Sequence, residues 1–243
     1  MRGQRILLTG ASSGLGRAAC VQLAQAGATV LVCARREGRL LDLAEAHPTV
    51  EPHVLDVSDL DAVAAFCAAL GPVDGAILNA GITEAGPFSD SSAARDAQLI
   101  ATNVSANVAL ARGLRGALSG GRLVFVGSLG GVIPLPYQAV YSGSKAFLHH
   151  FALALREEWA GDVSVGVFAP GGIRTEMTEV DALAKLDAHL ADADAVAGAL
   201  LDFYGSTRAL SVPGGANKLT AAAARVLPRG LVGRVVERLY REG

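Results

Sequence analysis

Short apolar strand patterns alternate with longer helical patterns along most of this chain, and this alternation restricts its fold more than any other feature. Parallel strands that are buried on both faces are apolar throughout, and the intervening segments are long enough for crossover helices. The pattern predicts an α/β protein with three layers, in which a doubly wound, seven-stranded parallel sheet has helices on both faces. The predicted strands are Arg5–Thr9, Thr29–Cys33, His53–Leu55, Gly75–Leu78, Arg122–Val126, Ser164–Phe168 and Ala209–Val212.

The length of the chain indicates a single domain. Its 243 residues are enough for one large α/β core and too few for two. Glycines mark helix ends, with Gly27 closing the first helix and Gly71 ending the third. After Val212 the alternation stops, and an Ala-rich stretch is followed by a basic amphipathic one. We therefore predict one domain over residues 1–243, with a helical C-terminal extension, the tail, over residues 214–243.

Charge and cysteine usage argue against several classes of protein. The formal net charge is only −2 at pH 7, so we expect no nucleic-acid partner. Cys20, Cys33 and Cys67 lie in apolar stretches and form no C-x-x-C pair, which indicates reduced thiols in a cytoplasmic protein. The N-terminal residues have no secretion-signal pattern, and the uncharged run Leu123–Ser144 contains glycines and prolines that argue against a membrane span.

A glycine-rich turn follows the first predicted strand directly. Glycines at the spacing Gly-x-x-x-Gly-x-Gly let the chain bend tightly and let backbone N–H groups approach a pyrophosphate at the positive end of a helix. The alternative is a tight turn without a ligand, because this spacing is not G-x-G-x-x-G. Its position between the first strand and the first helix favours a dinucleotide site. The residues of this glycine turn are Gly10, Ser12, Ser13, Gly14, Leu15 and Gly16.

Two arginines at the end of the second predicted strand bear on the choice of cofactor. An acidic residue at this place would bind the ribose 2′-hydroxyl of NAD. This chain has Arg35 and Arg36 there, which offer permanently charged donors for a 2′-phosphate. We predict NADP(H), with Arg35 ahead of Arg36 because it comes first after the strand. The alternative is that the arginines, Arg36 above all, are simply solvated.

Tyr141 and Lys145 are four residues apart at the start of a predicted helix, so both can point into one cleft. A nearby ammonium favours the phenolate, and we expect Lys145 to lower the pKa of Tyr141 towards the range of acid/base catalysis. The alternative is a chance pair, with the phenol satisfied in the core. Tyr137 is interpreted as a pocket wall or as packing.

A metal site is not expected. The adjacent His149 and His150 point about 100° apart on a helix and cannot readily bind one ion together.

Together with further motifs, these residues make the sequence resemble the short-chain dehydrogenase/reductase family over residues 4 to 213, and the predicted sheet is of the Rossmann type. Each motif is weak by itself, but they occur in the family's order and at strand ends or on helices that line the cleft. Besides the glycine turn and Tyr-x-x-x-Lys, they are Asp56 with Val57, Asn79 with Ala80 and Gly81, Asn103, Gly127 with Ser128, and Pro170 with Gly171 and Thr175.

The resemblance implies a role for each of these residues. Asp56 and Val57 would hold the adenine, and Asn79 to Gly81 would contact the adenosine ribose region. Thr175 and the backbone of Ile173 would anchor the nicotinamide carboxamide, next to Pro170 and Gly171. Lys145 would bind the nicotinamide ribose, Ser128 would hydrogen-bond the substrate oxygen, and Asn103 would hold a water that relays protons from Lys145. Tyr141 would exchange the proton.

The resemblance also implies a function, an oxidoreductase that transfers a hydride between NADP(H) and a carbonyl or secondary alcohol. A lyase, an epimerase or a dehalogenase on the same scaffold remains an alternative, as does a cofactor-sensing protein without catalysis. The loop Leu129–Gln138 has no charged residue, which favours a small-molecule substrate that is uncharged and apolar near the reacting carbon.

Assembly and the tail are predicted from apolar faces. The helix after Lys145 has more apolar positions than one packing stripe needs, and in the family this helix forms a dimer interface, so we expect a homodimer. Apolar residues recur at helical spacing in the tail, which we expect to fold back beside the substrate cleft. The alternative is that its basic face attaches to a membrane surface or another protein.

Overall fold

The structure is a computed structural model that describes residues 1–118, 120–176 and 190–242. A seven-stranded parallel sheet runs through it in the order β3-β2-β1-β4-β5-β6-β7, which confirms the predicted fold class. The central strand β1 pairs with β2 on one side, where Arg5 lies opposite Thr29, and with β4 on the other, where Ile6 lies opposite Gly75. The strands are β1 Arg5–Thr9, β2 Thr29–Ala34, β3 Val50–Val54, β4 Gly75–Leu78, β5 Arg122–Val126, β6 Ser164–Phe168 and β7 Leu210–Ser211.

Helices cover both faces of the sheet. Helices α1, α2 and α7 pack on one face, and α3, α5 and α6 pack on the other. They are α1 Gly14–Gln25, α2 Glu37–Ala46, α3 Leu60–Ala69, α4 Ala93–Ile100, α5 Ala106–Leu114, α6 Ala139–Glu158 and α7 Ala193–Tyr204. The tail adds α8 Gly215–Val226 and α9 Arg229–Glu242, so it is helical as predicted. Among the described residues, no helix combines the length and the apolar character that crossing a membrane requires.

The β1 residues show why the strands are apolar at every position. Ile6 and Leu8 belong to the core under α1 and α2, whereas Leu7 belongs to the core under α3 and α5. All three side chains are fully buried. Successive residues of a strand point to opposite faces, so a strand covered by helices on both sides has no solvent-facing position.

The third strand corrects the sequence prediction, which placed it at His53–Leu55. It spans Val50–Val54 and forms the edge of the sheet. Glu51 and Pro52 are exposed there, and a proline is tolerated in an edge strand because the N–H it lacks has no partner to lose. Because Glu51 and Pro52 are not apolar, the first half of this strand lacks the sequence pattern of a buried strand. The seventh strand is also shorter than predicted, Leu210–Ser211 instead of Ala209–Val212.

This topology brings several chain segments to one edge of the sheet. The chain leaves β1 and β4 towards helices on opposite faces, and such a reversal opens a crevice at the carboxyl ends of the strands. The glycine turn after β1, the arginines after β2 and the segments after β4, β5 and β6 all meet at this edge.

Candidate active site

The glycine turn has a backbone that only glycine adopts easily. Gly10 and Gly14 have φ angles of 73° and 51°, in the left-handed region. At Gly16 the reason is space, since a Cβ atom there would lie 2.2 Å from the carbonyl oxygen of Gly10. Asn79 ties the turn to the end of β4, because its Nδ2 donates to the carbonyls of Thr9 at 3.0 Å and Gly10 at 3.3 Å. The turn is therefore held in shape before any ligand binds.

Arg36 lies against the glycine turn. Its Nε donates to Ser12 Oγ at 3.1 Å and its Nη2 to Ser13 Oγ at 2.6 Å. Arg35 also lines the crevice, but its side chain is 62% exposed and its Nη1 lies 4.0 Å from Asp56 Oδ2. The sequence ranked Arg35 first because of its position in the chain. The structure instead brings the guanidinium of Arg36 to the hydroxyls of the turn.

Asp56 is held ionised at the end of β3. Burial acts to raise the pKa of Asp56, but hydrogen bonds from Ser58 and the charge of Arg35 outweigh it, so the net shift is downwards. The Ser58 hydroxyl donates to Asp56 Oδ1 at 2.7 Å. This fixes the carboxylate at the rim of the crevice.

A cavity of about 670 Å³ occupies the crevice and joins the glycine turn to Tyr141 and Lys145. Every residue that the sequence predicted for the site lines this cavity, except Asn103, which is fully buried behind it. Tyr137 is not among the lining residues. Its hydroxyl lies 3.5 Å from Glu237 Oε1, between α6 and the tail.

Ser128, Tyr141 and Lys145 come together at one end of the cavity. The phenol of Tyr141 shares a hydrogen bond with the hydroxyl of Ser128, which also accepts from Gly130 N at 3.0 Å. Lys145 is only 5% exposed, and its Nζ donates to the carbonyl of Val126 at 2.9 Å. That ammonium lies 5.8 Å from the centroid of the Tyr141 ring. A carbonyl oxygen placed between Ser128 and Tyr141 would meet two hydroxyls.

Burial dominates the ionisation of both groups. It raises the pKa of Tyr141, and the hydrogen bond with Ser128 offsets this only in part. The sequence predicted a pKa lowered by Lys145, whereas the net shift in the structure is upwards. Burial also lowers the pKa of Lys145 to about 8, which weakens its cationic influence. Tyr141 is consequently a protonated phenol at neutral pH and can act as a proton donor.

Comparison with known proteins agrees with this geometry. The model of the family described as short chain dehydrogenase matches residues 4–185. The chain belongs to the short-chain dehydrogenase/reductase family. It is therefore a member of an oxidoreductase family that uses nicotinamide cofactors, as the resemblance implied.

Relatives of this short-chain dehydrogenase/reductase include longer chains. It is 32% identical over 73% of its length to a "Dehydrogenase/reductase SDR family protein 7-like" of Anopheles gambiae, and the match spans 62% of that protein. It is 32% identical over 71% of its length to the "NADPH-dependent 1-acyldihydroxyacetone phosphate reductase" of Saccharomyces cerevisiae, 62% of which is matched. Identity reaches 37% with the "Sulfoacetaldehyde reductase 2" of Chromohalobacter salexigens, over 72% of this chain and 75% of that one.

Solved structures share the fold. Serine dehydrogenase complexed with NADP+ in its closed form has a TM-score of 0.74 at 26% identity, covering 81% of this chain and 87% of that one. Actinorhodin polyketide ketoreductase with NADPH has a TM-score of 0.77 at 25% identity, covering 87% and 97%.

Asn103 lies in a short π-helix, Ala101–Ser105, which joins α4 directly to α5. Its Nδ2 donates to the Ile82 carbonyl at 2.9 Å and to Ser144 Oγ at 3.1 Å, and its Oδ1 accepts from Ile82 N at 2.9 Å. Asn107 Nδ2 donates to the Asn103 carbonyl at 2.9 Å. Asn103 thus ties the segment after β4 to α6, and the water relay stays a prediction.

Several lining residues were not named from the sequence. Thr220 and Val236 come from the tail, which confirms that the tail lies beside the cavity. The sequence showed an apolar helical face but not the surface it would cover. No group of three or more His, Cys, Asp or Glu side chains suited to a metal ion occurs among the described residues. Further unpredicted lining residues are Ile82, Thr83, Thr102 and Leu190.

Proposed function

We propose that this protein is an NADP(H)-dependent carbonyl reductase or alcohol dehydrogenase, with Tyr141 as general acid and base. The observation that supports this most directly is that Tyr141, Ser128 and Lys145 share one cavity with the glycine turn and Arg36. The chemistry at one end thus adjoins a dinucleotide site at the other.

The residues of the cavity fit a nicotinamide dinucleotide with a 2′-phosphate. The glycine turn offers backbone N–H groups at the N-terminus of α1, where a pyrophosphate is stabilised. Arg36 presents a guanidinium beside the hydroxyls of Ser12 and Ser13, a donor set suited to phosphate. When bound, the cofactor would supply or accept the hydride. Asp56 and Val57 would hold its adenine, and Ile173 and Thr175 its carboxamide.

The side chains would then handle the proton and the developing charge. In reduction, the Tyr141 hydroxyl gives its proton to the substrate oxygen, and its raised pKa keeps that proton in place at neutral pH. Ser128 donates a hydrogen bond to the same oxygen as it gains charge. Lys145 would donate to the ribose hydroxyls of the cofactor and stabilise the tyrosinate that proton loss creates. In oxidation, the same tyrosinate accepts the hydroxyl proton of the alcohol substrate.

We propose a neutral substrate with an apolar body. The described lining residues beyond Tyr141 include Ile133, Leu135, Gln138, Leu190 and Val236, and none of these is charged. Of the charged lining residues, Arg35, Arg36 and Asp56 lie in the cofactor part, and Lys145 lies beside Tyr141 with its ammonium hydrogen-bonded to the carbonyl of Val126. A sulfonate or phosphate on the substrate would need a basic partner in the cavity, which this part of the described structure does not offer. The preference therefore differs from what the names of the bacterial and yeast relatives indicate for those proteins.

The proposal is tested with purified protein, NADPH and a panel of neutral ketones and aldehydes beside sulfoacetaldehyde. We expect consumption of NADPH with the neutral apolar members. Tyr141→Phe should bind NADPH as the wild type does, yet lose a factor of about 10² to 10⁴ in kcat, the usual contribution of a positioned acid or base.

Two results would contradict the proposal. A Tyr141→Phe variant with full turnover would show that another group supplies the proton. Fluorescence changes on NADPH binding without consumption across the whole panel would favour the alternative of a cofactor-sensing protein.

A further inference from the structure

Glu176 bridges two arginines at the adenosine end of the cavity. Its Oε2 lies 2.8 Å from Arg36 Nη1, and its Oε1 pairs with Arg39 Nη1. Arg36 is at the same time hydrogen-bonded to the hydroxyls of Ser12 and Ser13. The carboxylate of Glu176 therefore accepts from Nη1 of Arg36, while Nε and Nη2 of the same guanidinium donate to the glycine turn.

Glu176 reaches these arginines from the opposite side of the crevice. It follows Thr175, whose Cγ2 atom lies 2.8 Å from where a Cβ would stand on Gly14. The chain after β6 thus passes close to the glycine turn and places a carboxylate near the end of β2. Hydrogen bonds from Arg36 and Arg39 lower the pKa of Glu176, so it is ionised throughout the neutral range.

We infer that Glu176 is a specificity-determining residue, which competes with the 2′-phosphate of the cofactor for Arg36 and Arg39 and so limits the preference for NADP(H) over NAD(H). This rests on the proposed function. A phosphate that approaches Arg36 meets a guanidinium already paired with an anion and is repelled by the carboxylate itself. NAD(H) has a neutral hydroxyl at the same place and does not depend on that guanidinium.

The alternative role for Glu176 is support. A carboxylate that bridges two arginines could hold them in the geometry that phosphate needs, and its removal would then weaken NADP(H) binding. Charge favours competition, because Arg36 has hydrogen bonds to Ser12 and Ser13 that do not involve Glu176. The serine hydroxyls therefore give the guanidinium a second set of contacts that holds it in position. The repulsion of the phosphate comes from the carboxylate of Glu176 and is lost when that carboxylate is removed.

The test is Glu176→Gln, which keeps the size of the side chain and removes its charge. Dissociation constants for NADPH and NADH are measured by cofactor fluorescence at low and at high salt. We expect NADPH to bind about three- to tenfold more tightly at low salt and NADH to change by less than about twofold, and the gain should shrink as salt screens the charges. Glu45→Gln is the control, because it makes the same charge change at an exposed position of α2.

The outcomes separate the two proposals. Unchanged or weaker NADPH binding in Glu176→Gln, or equal shifts for both cofactors, overturns the role of Glu176 and leaves the proposed function standing. A wild-type protein that binds neither cofactor overturns the proposed function, and the inference falls with it. A gain as large in Glu45→Gln would show that net charge, and not the contact with Arg36, sets the affinity.

Discussion

Burial of Lys145 changes the pH at which this residue carries a charge. Its ammonium is almost fully buried and its pKa falls to about 8 from the ordinary 10.5. Between these two values the unfolded chain binds a proton that the folded chain has released, so folding becomes more favourable as pH rises through this window. Below it, the folded protein bears the cost of a buried charge. A residue that is costly for the fold and faces a cavity is a candidate for function.

The same pKa leads to a prediction for cofactor binding. As pH rises through about 8, Lys145 in the free enzyme loses its charge and one of its donors, so NADPH affinity should decline. Lys145→Met should bind NADPH more weakly and show no decline in this range, and its turnover should fall as well. Fluorescence titrations between pH 7 and about 10 measure both effects, above the range in which the 2′-phosphate titrates. A decline that persists in Lys145→Met would assign the titration to another group.

At the scale of elements, the glycine turn is the segment whose shape depends most on its sequence. Gly16 has no room for a side chain, because a Cβ would come within 2.2 Å of a backbone oxygen and 2.6 Å of Asn79 Nδ2. Gly16→Ala should destabilise the fold by about 1–3 kcal/mol through overpacking and weaken NADPH binding by distorting the turn. Thermal unfolding and cofactor titration test the two effects.

The matched control lies on α2, where a Cβ on Gly38 meets no atom within 4 Å. Gly38→Ala should raise the free energy of unfolding by about 0.5–1 kcal/mol, since alanine favours a helix, and leave NADPH affinity unchanged. Equal effects of the two substitutions would contradict the steric argument.

The elements also show what a single sequence can predict. Buried strands such as β1 and β5 are apolar at nearly every position, and the motif residues stand out as small or polar groups at their ends, so both were found. The edge strand β3 was misplaced because exposure permits Glu51 and Pro52, which have no strand pattern. The side-chain direction of Arg36 and the π-helix at Asn103 depend on contacts between segments far apart in the chain, which composition and periodicity do not encode.

At the scale of the whole molecule, two sets of exposed apolar side chains bear on what the chain assembles with. One set is on α4 and α6, where Ile100, Phe147 and Leu153 are 47%, 41% and 38% exposed. We propose that these helices pair with a second copy of the chain, as members of the family often form oligomers, and the mass in solution tests it. The other set is on the tail, where Leu219, Val226 and Val235 are exposed. Its basic residues keep attachment to an anionic surface open as the alternative.

Two neighbouring residues of α9 allow the two roles of the tail, lining the substrate cleft and attaching to an anionic surface, to be tested separately. Val236 lines the cavity, whereas Val235 is 53% exposed. Val236→Asp places a charge against the apolar part of the cavity, so kcat/KM for neutral apolar ketones should fall by about tenfold or more, the cost of an unpaired charge near an apolar ligand. NADPH affinity should be nearly unchanged, since the residues assigned to the cofactor lie at or before Thr175. Val235→Asp has the same charge and should leave both quantities unchanged.

Deleting residues 226–243 extends the comparison to the whole of α9. Substrate range or stability should change, with NADPH affinity retained, because the deletion opens the cavity on the side of Val236. Steady-state kinetics and cofactor titration on Val236→Asp, Val235→Asp and the deletion variant test these expectations. Substrate kinetics unchanged by both Val236→Asp and the deletion would show that the tail does not shape the substrate cleft. If the full chain then pelleted with anionic vesicles at low salt, and Val235→Asp or added salt abolished the pelleting, attachment to a membrane surface would replace the proposed role.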